Sequence, residues 1–276
     1  MKKTGIINSL AIGLLFSFIA CNNPDDKKEE TATTPKYKEE TATYKLDTVT
    51  MNGYVVYDES TNKKRPAVLV VHEWWGLNDY PKMRAKQLAE LGYIAFAVDM
   101  YGNGKTVDNP NDAGNMSTPF YTNPQLAKDR FAAALKRLKE YSVVDPDNIA
   151  AIGYCFGGGV LLNNARLGED LSGIVSFHGG LVGVPPNKDL LKTRILVCHG
   201  ASDPFVPQAD VDKFKKQMDS VGADYIFKAY PDATHAFTNP YATEAGKKFG
   251  IPIAYNAAAD TASWNDMKAF FGMIFK

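Results

Sequence analysis

Between residues 51 and 275, short apolar runs alternate with helix-length amphipathic segments, and this alternation limits the possible folds more than any other feature. Ala67-Val68-Leu69-Val70-Val71 is apolar at every position, as in a strand covered on both faces. Met51 to Tyr57 reads as an earlier strand, followed by a polar turn from Glu59 to Arg65. Asp79 is placed to cap the next helix, with Pro81 just inside it; Ala85, Leu88 and Ala89 share one face, and Gly92 ends it. Tyr93 to Val98 is the following strand. Asn123 and Pro124 open a helix that carries Phe131, Ala134, Leu135 and Leu138 on one side.

The rhythm continues through strands at Asn148 to Tyr154, Gly173 to Phe177, Arg194 to Cys198 and Tyr225 to Tyr230. Helices are expected from Phe156 to Leu167, from Pro207 to Gly222, and from about Ala257 to Phe275. Strands alternating with helices define an α/β chain: a mainly parallel central sheet with helices on both faces. Ligands of such sheets bind beyond the carboxyl ends of the strands. With no internal repeat and no second core, one catalytic domain is expected over residues 44–276.

The N-terminus reads differently. Lys2 and Lys3 precede a mostly apolar stretch from Ile6 to Ala20, which is shorter than the roughly 20 residues a membrane span needs. Residues 1–20 are therefore expected to be a signal peptide. Phe18-Ile19-Ala20-Cys21 resembles a bacterial lipobox, implying lipidation of Cys21, and Asn22 by the same resemblance favours the outer membrane. A plain signal peptide with a chance cysteine, or an uncleaved anchor, is the alternative. The expectation is an exported lipoprotein, periplasmic or attached to the outer membrane or cell surface, touching membrane only through its anchor. Residues 21–43 are rich in Thr, Lys, Glu, Asp and Pro, too polar to repay ordering, and read as a solvated tether.

Acidic and basic residues balance at 31 each and no basic run occurs, so nothing points to nucleic acid. The cysteines, at 21, 155 and 198, do not suggest a disulfide framework. No His pair has metal-ligand spacing with acidic company, so neither a metal nor a cofactor is expected. A monomer is expected.

The chemistry concentrates in Gly153-Tyr154-Cys155-Phe156-Gly157, set between an expected strand and an expected helix. This is a nucleophile-elbow pattern with Cys in the place of Ser. Cys155 would sit at a helix N-terminus that favours a thiolate, and the Phe156 N–H would face a developing oxyanion. A Gly-rich turn around an inert cysteine is the plainer reading of the pentapeptide alone. Context strengthens the catalytic one. Asp203 ends a strand-to-loop segment, and His235 lies on the loop after the last strand, so nucleophile, acid and histidine occur in that order. A helix cap and an idle loop histidine are the corresponding alternatives.

With these pieces, residues 46–276 resemble the dienelactone hydrolase family, whose members have the α/β-hydrolase fold. The likeness rests on Gly153-Tyr154-Cys155-Phe156-Gly157-Gly158, on Gly200 to Asp203 with Phe205-Val206-Pro207, on His235-Ala236-Phe237, and on His72-Glu73-Trp74-Trp75-Gly76. It implies cleavage of a small carboxylic ester or lactone through Cys155, His235 and Asp203. It also implies that Glu73 reaches the Cys155 thiol, and that the Trp74 N–H is the second oxyanion donor. A salt bridge at the pocket mouth is the other reading of Glu73.

One departure affects specificity. The family grips an acidic lactone with arginines, one of them four residues after the catalytic His; here that residue is Asn239, and no Arg lies between Arg84 and Arg130. A neutral or bulkier ester is therefore expected. Residues 101–123, rich in Gly, Asn and Pro, read as a long loop over the site. Trp74, Trp75, Tyr101, Phe120, Tyr121 and Phe237 are candidates for an aromatic pocket beneath it, with core packing as the alternative. A carboxylesterase, thioesterase or peptidase of the same fold, or a tethered binding protein without turnover, are the competing functions.

Overall fold

The computed structural model describes residues 34–276. The expected signal peptide, Cys21 and most of the tether lie outside these described residues. In chain order the elements are β1 (Tyr37–Leu46), β2 (Val49–Asp58), β3 (Arg65–Val71), α1 (Asp79–Glu90), β4 (Ile94–Val98), α2 (Pro110–Thr122), α3 (Pro124–Leu138) and β5 (Val144–Tyr154). They continue with α4 (Phe156–Arg166), β6 (Gly173–Phe177), β7 (Arg194–Gly200), α5 (Gln208–Ser220), β8 (Tyr225–Tyr230), α6 (Ala242–Phe249) and α7 (Ala257–Ile274).

The eight strands form one sheet in the order β1-β2-β4-β3-β5-β6-β7-β8. β1 and β2 are antiparallel additions at one edge, and from β4 to β8 neighbouring strands are parallel. The chain leaves β3 for β4 on one side and returns to β5 on the other, so the carboxyl ends of β3 and β5 flank a switch point. A crevice opens where successive connections diverge in this way. Glu73 follows β3 and Cys155 follows β5.

Period-two alternation divides the core. Ala67, Leu69 and Val71 of β3 pack with Phe131 of α3, Leu161 of α4 and Phe214 of α5. Val68 and Val70 point the other way, toward Leu88 of α1 and Met267, Phe270 and Phe271 of α7. Each fully buried Phe contributes roughly 1.5–3 kcal/mol. The α1–α7 side of the sheet is also tied by charge. Arg84 on α1, almost wholly buried, donates to Asp260 Oδ1 on α7 at 2.5 Å and to the Thr238 carbonyl at 2.6 Å.

Three local expectations are corrected, and one short helix is added. Strand β1 begins at Tyr37, within the stretch read as tether, and buries Ala42 and Tyr44 between exposed Thr41, Thr43 and Lys45. Lys38 pairs with Glu40 at 2.7 Å, and Glu39 with Lys86 at 2.9 Å, charges that suit a sheet edge. The α1 cap is Asn78, whose side chain accepts from the Tyr80 N–H at 3.1 Å, while Asp79 occupies the first turn.

Much of the expected loop over 101–123 is helical. Asn109 caps α2, Pro110 opens it, and Ala113, Ser117 and Phe120 face inward at helical spacing. Ser117 and Thr118 turn their hydroxyls onto carbonyls four residues back, so their polar side chains do not compete with the helix. α6 is an additional short helix, ended by Gly250 in the left-handed region at φ 63°.

The Arg84–Asp260 contact gives a stability prediction. Asp260→Ala leaves a buried guanidinium short of its counter-charge and should cost about 3 kcal/mol. Urea unfolding checks this, as a lower midpoint with an unchanged slope.

Candidate active site

The elbow is built by close approach. A Cβ on Gly153 would lie 2.3 Å from the Gly157 carbonyl oxygen, and one on Gly157 would lie 2.3 Å from that of Val71. Helix α4 can therefore start directly against β3 and β5 only with glycine at both positions. Cys155, at the apex, has φ 53° and ψ −111°, a conformation L residues rarely hold and one that recurs at functional turns. Its N–H donates to the Phe177 carbonyl at 3.0 Å and lies 3.1 Å from His178 Nδ1.

The loops after β7 and β8 bring two further side chains to this apex. His235 Nε2 is 3.0 Å from Cys155 Sγ, and His235 Nδ1 is 2.7 Å from Asp203 Oδ2. The other Asp203 oxygen accepts the Phe205 N–H at 2.9 Å. Facing a carboxylate that only accepts, Nδ1 must carry a proton, which leaves Nε2 to exchange one with sulfur. Burial opposes a charge on His235, but the negative charge on Cys155 and the Asp203 carboxylate outweigh it and hold its pKa well above the usual range. The His235 loop is braced by a bridge to Ile253. Gly200 lets β7 run close beneath, where a Cβ would meet the Ala233 carbonyl at 2.5 Å.

Behind the elbow lies a buried polar relay. His178 accepts from the Cys155 N–H through Nδ1, so its Nε2–H donates to Thr238 Oγ1 at 2.7 Å, and Thr238 shares a hydrogen bond with Tyr80 at 2.6 Å. Burial and the neighbouring His235 and Arg84 charges drive the His178 pKa well down, so it stays neutral. The His178 and His235 rings meet edge to face at 5.4 Å. His72, whose pKa burial lowers to about 4, is likewise neutral, with Nδ1–H on the Glu73 carbonyl and Nε2 accepting from the Met100 N–H.

Glu73 is only 3% exposed. Its Oε2 accepts from Asn239 Nδ2 at 2.7 Å, and Asn239 Oδ1 accepts from the Tyr241 N–H at 2.9 Å, which fixes the amide orientation. Glu73 Oε1 has no hydrogen-bond partner among the described residues. Burial raises the Glu73 pKa to about 7, partly offset by Asn239. The expected Glu73 contact with the thiol is corrected: Cys155 is engaged by His235, and Glu73 by Asn239, because the amide four residues after His235 points back across the crevice. The N–H groups of Phe156 and Trp74 make no backbone hydrogen bond among the described residues.

A cavity of about 300 Å³ opens on Cys155, lined by Trp74, Trp75, Tyr121, Phe205, Val206 and Ile253 among others. Trp75 and Tyr121 are among the lining residues. Tyr101, Phe120 and Phe237 do not line it. Tyr101 donates to the Trp74 carbonyl and packs with Phe120 against Phe156, while Phe237 is fully buried on the opposite face of the sheet. Phe205, 53% exposed with its ring 5.1 Å from that of His235, was not singled out as lining. An aromatic residue two places after the acid, on a loop, was the available signal. Ile251 and Ile253, on the segment after α6, gave none.

A parallel sheet with a strained cysteine elbow, a histidine and a buried aspartate on adjoining loops defines the α/β-hydrolase class. Residues 51–275 match the Dienelactone hydrolase family, and the chain belongs to that family. It is 32% identical to "Protein usf" of Aquifex pyrophilus over 75% of this chain and 87% of that protein. It is also 32% identical to an Aquifex aeolicus protein provisionally named carboxymethylenebutenolidase, over 69% and 83% respectively. Among solved structures, a dienelactone hydrolase-like promiscuous phosphotriesterase from metagenomic libraries superposes with a TM-score of 0.81 at 34% identity, covering 87% of this chain and 99% of its own. The protein is a dienelactone hydrolase-like enzyme of the ester- and lactone-cleaving kind.

The site predicts unequal thiols. Cys198 is fully buried, and burial pushes its pKa to about 12. Iodoacetamide should modify Cys155 at least about tenfold faster at neutral pH, since the thiolate is the reactive form. Asp203→Asn removes one group that holds the His235 charge, so alkylation of Cys155 at neutral pH should slow. Mass spectrometry of quenched time points reads both.

Proposed function

We propose that Cys155 is the nucleophile of an ester or lactone hydrolase acting on neutral or bulkier substrates, through a thioester acyl-enzyme. The observation that carries this reading is the unbroken contact from Asp203 through His235 to the Cys155 sulfur, at 2.7 and 3.0 Å. Sulfur attacks the carbonyl carbon, and the carbonyl π electrons move onto oxygen, where the Phe156 and Trp74 N–H groups receive the charge. Collapse of the tetrahedral species breaks the carbon–oxygen bond, and His235 Nε2–H passes its proton to the leaving alkoxide. His235 then takes a proton from water, whose oxygen attacks the thioester and releases the acid and the thiol. Each oxyanion donor contributes about 3 kcal/mol in comparable sites.

Asn239 supports a substrate without the family's carboxylate. At the position of the gripping arginine it offers an amide already bonded to Glu73. Glu73, with a pKa near 7 and one buried oxygen without a donor among the described residues, adds a carboxylate beside the cavity that ionises in the neutral range. The likeness to a promiscuous phosphotriesterase favours a second reaction at the same sulfur, attack on a phosphotriester.

A panel of aryl esters, an enol lactone and an aryl phosphotriester, run with the wild-type domain, Cys155→Ala and Glu73→Gln, tests the assignment. Cys155→Ala should lower kcat by about 10³ or more. Glu73→Gln should lose any rise in kcat/KM with pH near 7, because Gln cannot ionise there. Equal rates for wild type and Cys155→Ala would falsify the nucleophile.

We also propose that the chain is an exported lipoprotein anchored through Cys21, supported by the lipobox resemblance of Phe18-Ile19-Ala20-Cys21. Cells expressing the full chain should incorporate labelled palmitate into it, and Cys21→Ser should abolish the label. Undiminished labelling in the variant argues against this anchor.

A further inference from the structure

Beside the catalytic cavity lies a larger cleft, of about 800 Å³. The two spaces share Glu73, Trp75, Ala236 and Ile253 as walls, so a substrate with its carbonyl over Cys155 can extend from one into the other. The charges of the cleft are one-sided. Glu73, Asp79, Asp108 and Asp112 line it, and among the described residues no Lys, Arg or His does. Among the described residues none of these four carboxylates is in an ion pair. Asp108 and Asp112 accept only from the Asn109 amide, at 3.3 and 2.8 Å, apart from backbone contacts. Glu73 Oε1 is buried and accepts from nothing.

The same cleft has aromatic walls. Trp75 stacks on Phe249 with ring centres 6.0 Å apart, and exposed Tyr241 also lines the cleft. The Lys248 ammonium lies 4.8 Å from the Phe249 ring centre, yet Lys248 does not line the cleft. Ring faces beside unpaired carboxylates attract a weakly hydrated cation and repel an anion. A neutral group would gain the aromatic contact without the charge term.

We infer that the cleft is a subsite for a positively charged group, so that this hydrolase prefers esters carrying an alkylammonium on the part that lies beyond Trp75. The inference rests on ester cleavage at Cys155 and adds the substrate's charge to it. It reverses the sign of the family's substrate, since the groups facing the ligand are carboxylates and an amide.

Two matched series of activated aryl esters test it. In one, the acyl chain ends in trimethylammonium, tert-butyl or carboxylate; in the other, acetyl esters carry those groups on the phenol. In at least one series kcat/KM for the ammonium ester should exceed that of its tert-butyl isostere by roughly tenfold at low ionic strength, from a cation–π contact plus screened carboxylate attraction. The carboxylate ester should be poorest. The preference should shrink in about 1 M salt, where the screening length is about 3 Å. It should also fall toward unity in Asp79→Asn/Asp108→Asn, with both positions exposed and thermal unfolding recorded alongside.

Binding is read separately from turnover by titrating benzyltrimethylammonium into the Cys155→Ala protein and following tryptophan emission, which Trp75 should report. Equal cleavage of ammonium and tert-butyl esters in both series, or a preference untouched by salt and by the double variant, overturns the inference while ester hydrolysis stands. Quenching without any ester cleavage would instead remove the Cys155 reading and retain the cation site.

Discussion

Helix α4 meets the sheet so closely at Gly157 that the Val71 carbonyl occupies the space a side chain would need. The position of Cys155 follows from that contact. With α4 pressed against β3, the turn from β5 has no room for an ordinary conformation, and the cysteine is held at φ 53° with its sulfur above the carboxyl edge. The strain is local, and its support is distributed over Gly153, Gly157 and Gly158 together with the Phe177 carbonyl. Wider packing supports the same point. Phe156, fully buried, is wedged among Tyr101, Phe120, Tyr121 and His72, so α4 cannot withdraw without opening the core.

Electrostatics then sort three nearby imidazoles into different tasks. His72 and His178 are buried without an anionic partner strong enough to outweigh burial, and stay neutral as fixed hydrogen-bonding spacers. His235 is just as deeply placed but faces sulfur and a carboxylate, which hold its charge. Burial alone would have made all three alike; the partner decides. The same reasoning separates the carboxylates. Asp203 has both oxygens bonded, whereas Glu73 has one bonded and one bare in an apolar setting, which raises its pKa.

Much of this was legible in the residue order. The apolar run at Ala67 to Val71, the caps and stops of the helices, and the Gly-x-Cys-x-Gly turn are local signals, each written within a few residues. β6 and β8 coincide with their expected spans. The failures have physical causes too. β1 is polar on its outward face, and its pairing with β2 together with the burial of Ala42 and Tyr44 orders a segment that composition reads as tether. α2 has Gly, Asn and Pro throughout, poor helix formers whose cost is met by packing Ala113, Ser117 and Phe120 inward.

What the sequence by itself determined was the α/β class and the Gly-x-Cys-x-Gly elbow, because each depends on periodicity or on residues confined to one turn. What only the tertiary structure decided was how those parts face their neighbours. Glu73 and Asn239 are 166 residues apart along the chain, and no local pattern could announce that an amide holds the carboxylate across the crevice. Tyr101, Phe120 and Phe237 have the same aromatic character as Trp75 and Tyr121, yet they fill the core. Whether an aromatic ring lines a cavity depends on which way its element is turned, and that direction is set by contacts between segments distant in the chain.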